Sequence, residues 1–169
     1  MLQVYERLSV KKTQSTQPDD SLTLDFDTRQ KARIKAITDA QQSIGIFVAR
    51  GHPLKIGELL KTECGKIIEV KGANEPVITA STDDWHTFSK VCYHLGNRHT
   101  QLQVGARWLR FKTDHVLQEL VEKYGLHVDA SPAVFEPESG AYGGHGHSHN
   151  HSHEHAHEHS HEHEHSHDH

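Results

Sequence analysis

The sequence predicts an α+β protein in three parts, and three observations carry that expectation. Short β-branched runs extend to about residue 75, a helical period takes over beyond it, and histidine fills every second position of the last 25 residues. The expected boundaries are 1–75 for a small all-β domain, 76–142 for a mixed domain and 143–169 for a flexible His-rich tail.

In the first part Leu2, Val4 and Tyr5 open one run, and Leu22, Leu24 and Phe26 alternate strictly. Ile34, Ala36 and Ile37 follow, then Ile44 to Val48, then Ile67, Ile68 and Val70. Such runs, bounded by turn residues, read as strands. Arg50-Gly51-His52-Pro53 reads as a turn. Leu54, Gly57, Leu59 and Leu60 are expected to form one short helical turn.

From Glu75 the pattern changes. Pro76 to Ala80 predicts a strand, and Thr82 or Asp83 offers an N-cap oxygen ahead of Trp85, Phe88, Val91, Cys92 and Leu95. Those apolar positions share one helical face, and Gly96 is expected as the left-handed stop. Gln101–Val104 and Arg107–Phe111 predict a hairpin whose two-residue loop, Gly105-Ala106, places glycine first. Asp114 caps a second helix through Val116, Leu117, Leu120, Val121 and Tyr124, which Gly125 ends. Leu126–Val128 supplies a last strand, with or without Ala133–Phe135. The order βαββαβ is that of a ferredoxin-like split unit.

Gly140 to Gly144 reads as a hinge into the tail. Beyond it, 13 of the 19 histidines alternate with small or acidic residues, and five acids stand with no Lys or Arg. Nothing apolar is available there to offset the entropy of ordering the chain, so the tail is expected to be disordered without metal. The remaining body carries 18 basic and 18 acidic residues, which leaves the formal charge of −5 entirely in the tail. A neutral body lacks the basic footprint of a nucleic-acid binder, and Arg107-Trp108-Leu109-Arg110-Phe111 lacks the aromatic pattern of an RNA-recognition sheet. No apolar run approaches the roughly 18 residues of a membrane span, and the first residues do not form a signal peptide. A soluble cytoplasmic protein is expected. Cys64 and Cys92 form no C-x-x-C pair, and buried reduced thiols are expected.

The tail is the strongest chemical signal, because neutral imidazole is a good ligand for borderline divalent ions. His145, His147, His149, His151 and His153 begin its donor series. The series is interrupted throughout, unlike the continuous run of a purification tag. Composition says metal without choosing among Ni²⁺, Zn²⁺ and Cu²⁺. In the body, His94 falls off the apolar stripe and His99 lies past the Gly96 stop, where an ordinary surface histidine and a ligand are both open readings. For His115, just after the Asp114 cap, an ordinary polar first-turn residue and a metal ligand are both open readings. His52, His86 and His127 have no ligand-spaced partner. No phosphate loop, nucleophile elbow or H-E-x-x-H is present, so no enzyme is expected.

Tyr93-His94-Leu95-Gly96-Asn97-Arg98-His99, then Asp114-His115-Val116-Leu117, then Phe135-Glu136-Pro137-Glu138-Ser139-Gly140-Ala141-Tyr142 before a His-rich end, resembles the UreE family of nickel-carrying urease accessory proteins. Arg50-Gly51 with Leu54 and Gly57, and Arg29 to Arg33 before them, resemble that family's β domain. The resemblance implies a homodimer formed through the C-terminal domain, with His99 of both subunits meeting at the two-fold axis on one Ni²⁺. It implies that the β domain engages maturation partners, and that nickel passes through the GTPase maturation factor to the urease apoprotein. His115 and the tail would complete the ligand set. Two departures stand out: Thr113 replaces a second histidine found in some relatives, and Glu58 stands where relatives often have Asp. The alternative is a cytosolic nickel or zinc store, in which the tail itself is the function.

Overall fold

The structure, a computed structural model, describes residues 1–8 and 16–139. The predicted hinge and the tail donors His145, His147, His149, His151 and His153 lie outside the described residues.

The first half forms one six-stranded sheet. Strands β1 (Leu2–Arg7), β2 (Asp20–Leu24), β3 (Arg33–Ile37), β4 (Ser43–Phe47), β5 (Leu59–Thr62) and β6 (Ile67–Gly72) lie in the order β2-β6-β5-β1-β4-β3. β3–β4 and β5–β6 are antiparallel hairpins, whereas β1–β4 and β2–β6 are parallel. Alternation puts Val4, Leu22, Leu24, Ile34, Ile44, Ile46, Ile68 and Val70 on one face, and they form a continuous core with Leu54 and Leu60.

Two expectations fail in this half. The helical turn expected over Leu54–Leu60 is instead strand β5, preceded by a turn at Gly57 with φ +80°. Leu59 and Leu60 are both buried, so the strand shows no alternation to read. Phe26 does not extend β2 but starts the single-turn helix α1 (Phe26–Arg29). Asp25 caps that turn, accepting from Thr28 N at 2.7 Å, and competes successfully with strand continuation.

The second half contains β8 (Val77–Ser81), α2 (Trp85–Gly96), β9 (Gln103–Val104), β10 (Trp108–Lys112), α3 (His115–Lys123) and β11 (His127–Asp129). Its sheet order is β11-β8-β10-β9, with every neighbour antiparallel. Ile78, Ala80, Leu109 and Phe111 face Phe88, Val91, Leu95, Leu117 and Val121, so both helices cover one face of the sheet. Two short strands, β7 (Asn74–Glu75) and β12 (Ala133–Val134), pair where the halves meet. Beside them Phe26, Val77 and Phe135 form a third, bridging cluster, with the two phenyl rings edge to face at 5.4 Å.

The local stops also differ from expectation. The N-cap of α2 is Asp84, not Thr82 or Asp83, and its carboxylate accepts from His86 N and Thr87 N. Gly96 lies inside α2, and the left-handed residue that turns the chain is His99, with φ 54°. In the β9–β10 hairpin the left-handed residue is Arg107 rather than Gly105. Glycine is needed at 105 for space, since a Cβ there would overlap the Trp108 indole. Trp85, expected on the apolar stripe, is 58% exposed. It packs edge to face on Phe88 and lies under the Arg107 guanidinium.

Candidate metal centre

The segment from Tyr93 to Thr100 positions two histidines differently. His94, in the last turn of α2, stacks on Tyr124 at 5.2 Å and meets Tyr93 edge-on at 5.4 Å. Its ring is occupied by packing. His99 lies beyond the helix, where the chain tightens: Asn97 N donates to Tyr93 O at 3.0 Å, Arg98 N to Leu95 O at 3.1 Å and His99 N to Gly96 O at 3.0 Å. The backbone of His99 is therefore held by its bond to Gly96, one residue after the buried Leu95. Its side chain is exposed and makes no hydrogen bond or ring contact among the described residues.

His115 is the first residue of α3, whose N-cap Asp114 accepts from Val116 N at 2.9 Å and Leu117 N at 3.1 Å. Its ring is exposed as well. A shallow cleft of about 210 Å³, lined by Thr100, Gln101, Lys112, Thr113, Asp114 and Leu117, joins the residue after His99 to the residue before His115. Thr113, the departure noted above, sits in that cleft with no donor nitrogen to offer. Among the described residues no three His, Cys, Asp or Glu side chains converge closely enough to hold a metal ion. Any metal site at His99 must draw ligands from elsewhere.

His52, His86 and His127 are exposed and separate. The cysteines are free, but the buried reading holds only in part. Cys92 is half-buried, and burial pushes its thiol up; Cys64 is exposed, and the Thr62 hydroxyl at 3.3 Å holds its thiol below the usual range. Glu58, the second departure, accepts from Lys55 N at 2.9 Å and pairs with Arg7 at 3.5 Å. It closes the turn before β5.

Sequence reading missed the residues that tie the halves together. Arg29 is 1% exposed, and its guanidinium donates to Leu54 O at 3.2 Å, Phe135 O at 2.6 Å and Glu136 Oε2 at 2.7 Å. Glu138 N then donates to Leu102 O at 2.7 Å, so the last described residues run beside the strand that follows His99. More than a hundred positions separate Arg29 from Glu136, and no local pattern signals the pair.

Comparison with known proteins covers nearly the whole chain. The N-terminal domain of the UreE urease accessory protein matches residues 2–73 and its C-terminal domain matches residues 75–169. Proteins named urease accessory protein UreE are similar over most of the chain. That of Alteromonas mediterranea is 68% identical over 77% of this chain and 84% of its own length. That of Psychromonas ingrahamii is 63% identical over 88% and 97%, and that of a Marinomonas species 50% identical over 88% and 99%. The two-domain architecture, the matched families and these identities agree: the chain belongs to the UreE family of urease accessory proteins, chaperones of urease maturation rather than enzymes.

Proposed function

We propose that this protein is a cytoplasmic nickel metallochaperone, with Ni²⁺ as cargo held first at His99. The observation that carries the reading is the His99 imidazole, exposed and without a partner among the described residues, on a left-handed backbone tied to Gly96 O. One such ring cannot make a site, but a homodimer contact across a two-fold axis would pair it with its mate. Tyr93 and Val116, exposed apolar residues near His99 and His115 in sequence, are suited to being covered by that contact. Two imidazoles leave most of an octahedral Ni²⁺ shell open. His115 and tail histidines such as His145, His147, His149, His151 and His153 would complete it, and could leave again when a partner takes the ion. Zn²⁺ and Cu²⁺ are expected competitors.

The domain reading goes with this: 1–75 for partners, 76–142 for dimerisation and metal, 143–169 for ion capture. A ferredoxin-like identity for the second domain is supported by its strand order, its antiparallel pairing and its helices on one face. Partner binding by the first domain is supported by an exposed patch on the outer face of its sheet. There Tyr5 stacks on Phe47 at 5.2 Å, Met1 and Ile37 are exposed, and Arg33 pairs across from Phe47 and Lys35 from Gly45. Such a patch fits an acidic, partly apolar surface on the urease apoprotein or on its accessory proteins, the GTPase maturation factor among them.

The test is transfer. Ni²⁺-loaded full chain, mixed with apo-urease and its accessory proteins under a chelator that removes free Ni²⁺, is expected to activate urease, and His99→Ala is expected not to. Equal activation by both proteins would favour the storage reading, in which the tail suffices.

A further inference from the structure

We infer that β3 is a docking edge for a partner strand: an extended segment with acidic residues on one face and apolar residues on the other adds antiparallel to Arg33–Ile37 as a seventh strand. The inference rests on, and deepens, the reading of the first domain as the one that meets partners.

β3 stands at one end of the six-stranded sheet and, among the described residues, pairs with β4 alone. Val48 N donates to Ala32 O and Thr38 N to Gln42 O, both at 2.9 Å. Bonded and non-bonded pairs alternate along an antiparallel ladder, so Ile34 and Ala36 bond inward to β4, and the N–H and C=O groups of Arg33, Lys35 and Ile37 point away from it. Those outward groups have no partner among the described residues. The opposite edge is engaged, since on β2 Ser21 O accepts from Asp39 N at 2.8 Å. The β3–β4 register runs without a bulge and β3 holds no proline, which leaves its backbone open to a further strand.

The side chains choose the occupant. Arg33, Lys35 and Ile37 alternate on the exposed face, Ile37 at 59% exposure, beside the stacked Tyr5 and Phe47 rings. Neither cation has an ion pair among the described residues. On the other face lie buried Ile34 and half-buried Ala36, at the margin of the core. Two copies of this chain joined antiparallel about the middle of β3 would set Lys35 against Lys35, a pairing that like charge disfavours. A strand reading Ile-Val-Glu-Val-Glu instead puts its glutamates opposite Lys35 and Arg33 and its isoleucine opposite Ile37. Its valines then lie opposite Ala36 and Ile34, where they extend the core.

The experiment titrates the full chain into that peptide, labelled with fluorescein, beside a lysine peptide, Ile-Val-Lys-Val-Lys, and an acidic peptide N-methylated at its central glutamate. Amide exchange at Arg33, Lys35 and Ile37 is followed with and without the acidic peptide. Lys35→Pro removes an outward N–H without touching the ladder to β4, and Lys35→Gln removes the charge alone. The N-methylated peptide blocks the same contact from the other side should Lys35→Pro fail to fold. In a second arm, the urease apoprotein with its accessory proteins is captured on wild type, Phe47→Ala and Lys35→Pro.

The expected result is fast exchange at those amides in the free chain and slow exchange once the acidic peptide is bound. Binding should be about tenfold weaker for the lysine peptide and about threefold weaker in Lys35→Gln. It should be lost in Lys35→Pro and with the N-methylated peptide, and Lys35→Pro should lose partner capture. Slow exchange before any peptide is added, peptide binding that leaves those amides fast, equal binding of the N-methylated peptide, or no binding of the acidic peptide would each overturn the inference. If capture falls in Phe47→Ala but not in Lys35→Pro, docking at the edge fails while the reading of the domain survives. Should neither substitution alter capture, that reading fails and the inference falls with it.

Discussion

The two helices of the C-terminal half end in different ways. After α3 the chain reverses at Gly125, φ +80°, with Gly125 N bonded to Glu122 O at 2.8 Å and Leu126 N to Val121 O at 3.1 Å. This is the paired closure that glycine makes at low cost. After α2 the chain passes through Gly96 without using its freedom and tightens over Asn97 and Arg98. It then turns left-handed at His99, φ 54°. A side chain in that region costs on the order of 1 kcal/mol or more. One helix end is built for stability. The other accepts strain and gains an imidazole held at a fixed place.

The largest effect expected from breaking this comparison lies outside both helix ends. If the proposed dimer holds, truncation after Gly144 is expected to reduce Ni²⁺ bound per dimer from several ions to one or two in equilibrium dialysis, without unfolding the protein. Both cores, built from residues 4 to 126, would be untouched. Loss of the cooperative unfolding transition would show that the tail belongs to the core. In the full chain, tail loading should fall steeply between about pH 7 and 5, as protons compete for imidazoles of reference pKa about 6.5.

The next effect is a stability contrast. Gly125→Ala should destabilise by about 1–2 kcal/mol, whereas His99→Gly should stabilise by up to about 1 kcal/mol while losing tight nickel. Urea midpoints check both. A destabilised His99→Gly protein would mean that the left-handed turn is not strained.

The smallest effect concerns the start of α2. The Thr87 hydroxyl and the Thr87 backbone N–H hold the Asp84 carboxyl below its ordinary range. Its folded value is depressed, so its contribution is present above the ordinary carboxylate range, about 3.9, and is lost as pH falls through the folded value. Asp84→Asn should therefore lower the urea midpoint slightly at pH 6, and the difference should shrink as pH falls below the ordinary carboxylate range.

Much of this was legible from the chain alone. β1, β3 and β6 announce themselves because one face is more buried than the other, β4 by its run of β-branched and aromatic residues, and α2 and α3 because their apolar residues repeat at helical spacing. β5 was not legible, since Leu59 and Leu60 are both buried and period two disappears. α1 depends on a single capping carboxylate, and β7 and β12 depend on each other across 58 residues. At the site, the Tyr93–His99 segment could be read as a motif, and His99 was placed beyond a helix stop. The stop itself was misassigned, because glycine is the usual left-handed residue and Gly96 stood nearby. Neither the packing of His94 on Tyr124 nor the clamp of Arg29 on Glu136 leaves a trace in local sequence.

Isothermal titration of Ni²⁺ into the chain ending at Gly144 tests the central claim most directly, comparing wild type with His99→Ala, His94→Ala and His115→Ala. The account predicts that His99→Ala removes the tightest site, His115→Ala weakens it, and His94→Ala leaves it intact because that ring is engaged with Tyr124. Undiminished affinity in His99→Ala would contradict the account and place the metal elsewhere.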